Sequence, residues 1–140
     1  GVPCGIARFF NVYGPRQPST GDSAIMMGIF ERLKGAGLLL TVSGDGEQRR
    51  DFIHVSDVVA GLIRISELDL KSEIYNLGTG KNYSINEVAN LFEPVGINYI
   101  PAGLGEARNT LADISVMQSL GWEPKVSLES YIQCLRDGAG

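Results

Sequence analysis

No apolar run approaches the ~20 residues that a membrane-spanning helix needs, which argues against a helical membrane protein. Runs of like charge are missing too. Twelve basic residues stand against sixteen acidic ones for a net charge of −4, so no basic stripe suited to nucleic acid is present, and any anion must be met by local groups. Cysteine is scarce: Cys4 and Cys134 sit near opposite ends in neither a CxxC nor a metal-ligand spacing, and they read as reduced, packed thiols of a cytoplasmic protein. Histidine is scarcer still. His54 has no serine or cysteine partner at a recognisable nucleophile elbow and no second ligand at metal spacing, so a structural role is expected of it. Internal repeats and low-complexity segments are absent as well.

What is present suits one globular domain. A chain of 140 residues, 44% of them hydrophobic and 20% charged, can bury roughly 70% of the surface it exposes when unfolded. Its opening, GVPCGIARFF, has no methionine and is already in an apolar segment, which reads as the inside of something longer.

Along the chain, strand-like segments run into glycine turns and then into helices. GIARFFNVYG has the β-branched and aromatic character of a buried strand over residues 6–12, stopped by Gly14 and Pro15, with Asn11 at its carboxyl end. Ligands of open α/β sheets bind at that end of the strands. Asp22 or Ser23 is the expected cap of a helix carrying Met26, Ile29, Phe30 and Leu33 at i, i+3, i+4 and i+7. LLLTVSGDG, RDFIHV and EIYNLGTG read as further extended segments, and Gly44 and Gly46 are free to take positive φ. Ser56 is the expected cap of a helix through DVVAGLIRISEL. Ser84 and Glu87 form an S-x-x-E capping box, Asp113 precedes ISVMQSL, and Ser127 opens a last helix. The order indicates an α/β fold with at least two parallel strands.

GTGK at 78–81 lacks the spacer and the following Ser/Thr of a phosphate loop, and NLGTG lacks the GxGxxG spacing, so a plain strand-ending turn is expected. GDGEQRRDFIHVSDV at 44–58 is different. It sets Arg49 and Arg50 after a glycine turn at the start of an extended segment, where a guanidinium can be aimed at phosphate and bind it as a fork. The competing reading of Arg50 is a surface ion pair with Asp45, Glu47 or Asp51. Arg108, in GEARNTLAD, is a second candidate phosphate ligand, with solvated loop charge as its alternative.

Four blocks, RFFNVYGPRQ (8–17), GDGEQRRDFIHVSDVV (44–59), YNLGTGKNYSINEVA (75–89) and EARNTLADISVMQSLGWEPKVSLE (106–129), together resemble the C-terminal half of extended short-chain dehydrogenases, within the NAD-dependent nucleotide-sugar epimerases and dehydratases. UDP-glucose 4-epimerase and UDP-N-acetylglucosamine 4-epimerase are the nearest types. The resemblance implies the C-terminal part of a Rossmann-like fold, with parallel strands and a small mixed α/β substrate-binding subdomain. It implies that residues 1–140 form one nucleotide-sugar-binding portion without its N-terminal NAD-binding half. Asn11 matches the asparagine that faces both nicotinamide and sugar diphosphate. Arg50 and Arg108 match two diphosphate-binding arginines, while Arg49 stands where the family usually has a small polar residue. Val42 and Ser43 match the strand lining the nucleobase, and Asp113 matches a helix-opening aspartate.

The family's GxxGxxG turn and Tyr-x-x-x-Lys pair are missing. Tyr13, Tyr75, Tyr83, Tyr99 and Tyr131 are not followed four residues later by lysine. NAD is therefore expected in the parent family and not on this chain alone, and the isolated chain is expected to be inactive. The expected partner is a nucleotide-diphosphate sugar, with no nucleic acid, no membrane and a homodimer through an exposed sheet edge. A non-catalytic nucleotide-sugar-binding module, a structural remnant, or a portion of a dehydratase or decarboxylase are the alternative readings.

Overall fold

The computed structural model describes residues 1–69 and 72–138. Its elements in chain order are β1 (Gly5–Phe9), β2 (Asn11–Tyr13), α1 (Met26–Gly35), β3 (Leu40–Ser43), β4 (Arg49–His54), α2 (Val55–Ser66), β5 (Glu73–Leu77), β6 (Asn82–Ser84), α3 (Ile85–Leu91), β7 (Ile97–Ile100), α4 (Ser115–Ser119) and α5 (Leu128–Arg136). Three pairings are parallel, β1 with β5, β2 with β4 and β3 with β7, and β6 lies antiparallel on β4. This is the expected α/β architecture with parallel strands and a mixed portion.

The first strand divides where it was expected to be continuous. Gly5–Phe9 follows β5, Phe10 donates its N–H to the Leu77 carbonyl at 3.1 Å, and Asn11–Tyr13 then takes β4 as its partner. Asn11 thus opens a second short strand beside β4. Each half has its own core. Ile53, Val58, Tyr75, Leu77, Met117 and Trp122 gather between α2, α4 and β5, whereas Tyr13, Phe30, Val42, Phe52, Phe92 and Ile132 gather between α1, α3 and α5.

Several helix starts differ from expectation for local reasons. Helix α1 begins at Met26 with Ile25 as its N-cap and no side-chain cap bond, so neither Asp22 nor Ser23 performs that role. The preceding loop curls onto itself instead: Ile25 N–H donates to the Pro18 carbonyl at 3.1 Å, and a Cβ on Gly28 would lie 2.3 Å from that oxygen. Helix α2 starts one residue before the expected cap, and His54 replaces Ser56 in that role. The capping box of α3 forms as read, Ser84 and Glu87 each accepting from the other's backbone N–H. Ser127 caps α5, and the Asp113 carboxylate accepts from Ser115 N–H at 3.0 Å at the start of α4.

Both cysteines are exposed, so the expectation of packed thiols fails. Cys4 precedes the outer strand, and Cys134 points away from the Leu128 and Ile132 face of α5. On the outer face of the β1–β5 pair, Ile6 and Ile74 stand opposite each other in register at 57% and 44% exposure. Val59, Leu62 and Ile63 of α2 are exposed too. No helix among the described residues is long and apolar enough to cross a membrane.

Candidate functional site

Strand β4 sorts the residues of the site by the period-2 alternation of a strand. Arg50 and Phe52 line a cavity of about 630 Å³, while Asp51 and Ile53 alternate to the other face; Phe52, Asp51 and Ile53 are all buried. Parallel pairing sets Asn11 opposite Phe52, and Asn11 joins the same cavity. Strand β3 contributes Thr41 and Ser43, Gln48 enters from the intervening turn, and Ile29, Phe30, Leu33, Ile85 and Ile100 make the apolar part of the lining. Arg32 and Glu106 also line it.

The adjacent arginines are divided between two faces. Arg49 is engaged on one face: Nε donates to Asn82 Oδ1 and Nη2 to the Asn82 carbonyl, both at 3.0 Å, and Nη2 lies 3.0 Å from Glu87 Oε2. Arg50 makes one bond, from Nη1 to the Arg49 carbonyl at 2.9 Å, and no ion pair among the described residues. All three acids of the surface-pair reading are engaged elsewhere. Asp45 holds Arg108, Glu47 accepts from Asn86 Nδ2 at 2.6 Å, and Asp51 binds the 79–80 turn. Beside Arg50, Asn11 spends its Nδ2 on the Asp51 carbonyl at 3.1 Å.

Arg108 lines an adjoining recess of about 300 Å³ with Gly44, Asp45 and Ala102, and that recess shares Ser43, Gln48 and Glu106 with the larger cavity. Its Nη1 and Nη2 donate to the two Asp45 oxygens at 2.9 and 2.8 Å. The Arg108 bonds, helped by the Glu47 N–H, hold the Asp45 carboxyl down at about 2. The structure therefore gathers Asn11, Ser43 and Arg50 around one cavity and sets Arg108 next door. Val42 is placed otherwise: its side chain is 1% exposed in the core, on the opposite face of β3 from Thr41 and Ser43. Strand alternation carried that signal. Gln48 had no such signal, because a polar residue in a turn is ordinarily solvated; here it is buried, with Nε2 on the Ser43 carbonyl at 2.9 Å.

His54 is a helix cap outside this cavity. Its Nδ1 accepts from Ser56 N–H at 3.2 Å and lies 2.7 Å from Ser56 Oγ, while the ring packs 5.3 Å from Tyr13 and 5.4 Å from Tyr131. Burial lowers its pKa from 6.5, and Asp57 opposes the shift. Protonation is therefore harder in the folded chain than in the unfolded one. The associated stability is complete above pH 6.5 and is lost as pH falls through the lowered value. Urea midpoints should drop between pH 7 and 5, and His54→Asn, which keeps an N-cap acceptor, should reduce the drop; an equal drop in both proteins would contradict this role.

A dinucleotide cradle needs backbone N–H groups free at a glycine turn. The two candidate turns here are occupied. At the 79–80 turn the Asp51 carboxylate accepts from Thr79 N–H at 2.8 Å and Gly80 N–H at 2.9 Å, and at the 44–46 turn Asn86 sits where a Gly46 Cβ would be, with Oδ1 at 2.1 Å. These turns do not fit NAD's pyrophosphate. Among the described residues, no cluster of three or more His, Cys, Asp or Glu side chains suits a metal ion.

Residues 1–78 match the model of the NAD dependent epimerase/dehydratase family. The chain is similar to a solved UDP-glucose 4-epimerase with UDP-glucose from Thermotoga maritima, at 33% identity and a TM-score of 0.86, over 95% of this chain and 44% of that one. A UDP-glucuronic acid 4-epimerase from Bacillus cereus, solved with UDP-glucuronic acid and NAD, is 28% identical with a TM-score of 0.84, over 97% and 45%. UDP-glucuronic acid decarboxylase 6 of Arabidopsis thaliana is 35% identical over 98% of this chain and 41% of its own length. The chain thus spans less than half the length of these relatives.

Proposed function

Because the chain belongs to the NAD dependent epimerase/dehydratase family, we propose that it forms the nucleotide-holding portion of a nucleotide-sugar enzyme, with UDP as the nucleotide. The observation that carries this reading is Arg50: a guanidinium without an acidic partner among the described residues, set beside Asn11 in the wall of a largely apolar cavity. Apolar walls suit a nucleobase, and a forked cation suits phosphate. Thr41 and Ser43 would meet the base edge, Arg50 the diphosphate, and Asn11 the junction of sugar and nicotinamide. Val42 would reach the base only through its backbone, whereas Arg108 would reach the diphosphate only by releasing Asp45.

The parent reaction in this reading is 4-epimerisation through a transient keto sugar, with NAD supplying the hydride chemistry from a portion outside residues 1–140. This chain's contribution is orientation. Fixing the nucleotide diphosphate turns an encounter into a positioned reaction, a large share of many catalytic effects. Alone, the chain has neither the tyrosine–lysine pair nor a dinucleotide turn in its sequence, and it would not turn over substrate. The names of its relatives, spanning epimerases and a decarboxylase, support UDP more firmly than any one sugar.

Calorimetric titration with UDP, dTDP, CDP and GDP tests the reading. UDP should bind saturably and the others more weakly. A folded chain that binds none of them would contradict it.

A further inference from the structure

The Arg108–Asp45 fork lines the smaller recess, which shares Ser43, Gln48 and Glu106 with the Arg50 cavity. We propose that Asp45 sets the site's preference for a diphosphate over the bare nucleoside by competing with phosphate for Arg108. The proposal rests on the reading of the cavity as a nucleoside-diphosphate site.

With the fork closed, both Asp45 oxygens occupy the end of the guanidinium, at 2.9 and 2.8 Å. The aspartate cancels the arginine's charge and adds its own repulsion toward an incoming phosphate. The recess that shares Ser43, Gln48 and Glu106 with the Arg50 cavity then has no uncompensated cation among its lining residues. With the fork open, the same recess holds a cation.

Neither loop depends on the fork for its position. On one side Arg49 N–H donates to the Arg108 carbonyl at 2.9 Å, Thr110 N–H donates to the Arg49 carbonyl at 3.1 Å, and Asn82 Nδ2 donates to Asn109 Oδ1 at 2.6 Å. On the other, Glu47 N–H donates to Asp45 Oδ1 at 3.0 Å and Asn86 Nδ2 to the Asp45 carbonyl at 2.9 Å. The side chains are 67% and 57% exposed, so water screens the pair and its exchange for another anion is easy. A phosphate oxygen pair fits the same fork.

Asp45→Asn is the informative change, because its Oδ1 still accepts from Glu47 N–H while the charge is gone. Wild type, Asp45→Asn, Arg108→Ala and the double variant are titrated with UDP and with uridine. Asp45→Asn should tighten UDP binding roughly 2- to 5-fold, the range expected for release of one exposed pair. Uridine affinity should not move, and the gain should vanish in the Arg108→Ala background. UDP affinity equal in wild type and Asp45→Asn, or a gain that survives Arg108→Ala, overturns the competition. If uridine still binds in that case, the cavity reading stands without the latch; if neither ligand binds any variant, both readings fall together.

Discussion

Replacing Arg50 with alanine is expected to weaken UDP binding by about 1.5 to 3 kcal/mol, a factor of roughly 10 to 150, the range for a hydrogen bond to a charged group. Uridine binding should be nearly unchanged, since the nucleoside has no phosphate for the guanidinium to hold. The size of the effect follows from the surroundings. Arg50 is partly buried, its strand is fixed by β2 and β6 on either side, and its Nη1 is pinned to the Arg49 carbonyl, so little side-chain freedom is left to lose on binding. Arg32 lines the same cavity but is exposed, with its Nε on the Ser19 carbonyl, and Arg32→Ala should cost less. Equal losses of UDP and uridine affinity in Arg50→Ala would point to a collapsed pocket rather than a missing phosphate ligand. The variant's urea midpoint separates those cases, because the Arg50 side chain makes only one hydrogen bond among the described residues.

Asp51→Ala should give the largest loss of stability, roughly 3 to 5 kcal/mol, measured as the shift in urea unfolding. The Asp51 side chain is fully buried, and its carboxylate accepts from Thr79 N–H and Oγ1 at 2.8 Å, Gly80 N–H at 2.9 Å and Ala112 N–H at 3.1 Å. Alanine leaves three backbone donors without this acceptor, at about 1 to 3 kcal/mol for a buried one such as Ala112 N–H and less at the exposed Gly80, where water can replace it. Domains of this size hold only about 5 to 15 kcal/mol in total, so the variant should be near its limit. Asp51→Asn retains one acceptor oxygen and should fall between the two proteins. A change below about 1 kcal/mol in Asp51→Ala would mean that the turn and the 110–112 segment find other partners.

Asp51 also explains why part of the site was hard to read from the sequence. In GDGEQRRDF the acids looked like natural partners for the arginines, yet sequence neighbours on a strand point to opposite faces. Asp51 faces the core and joins two distant segments, which no local pattern announces. The same alternation separates Arg49 from Arg50 and Val42 from Ser43, and it was legible once β3 and β4 were recognised as strands. Element type was readable where periodicity and capping chemistry agreed, as in the Ser84–Glu87 box and the Ser127 cap. It was less readable where tertiary contacts decided, as in α1, whose start is set by a loop folded onto Gly28, and in β6, a polar triplet that is a strand only because β4 lies beside it. His54 shows the limit from another side. The imidazole that serves as an N-cap acceptor packs against Tyr13 and Tyr131, both of which lie far from it in sequence.

The most direct measurement is a backbone and side-chain amide shift map of the labelled chain titrated with UDP. Nucleoside-diphosphate binding in the Arg50 cavity predicts saturable shifts at Asn11, Thr41, Ser43, Gln48 and Arg50, with the β1–β5 pair unmoved. Saturable shifts confined to other surfaces, or none at all from a folded chain, would contradict it.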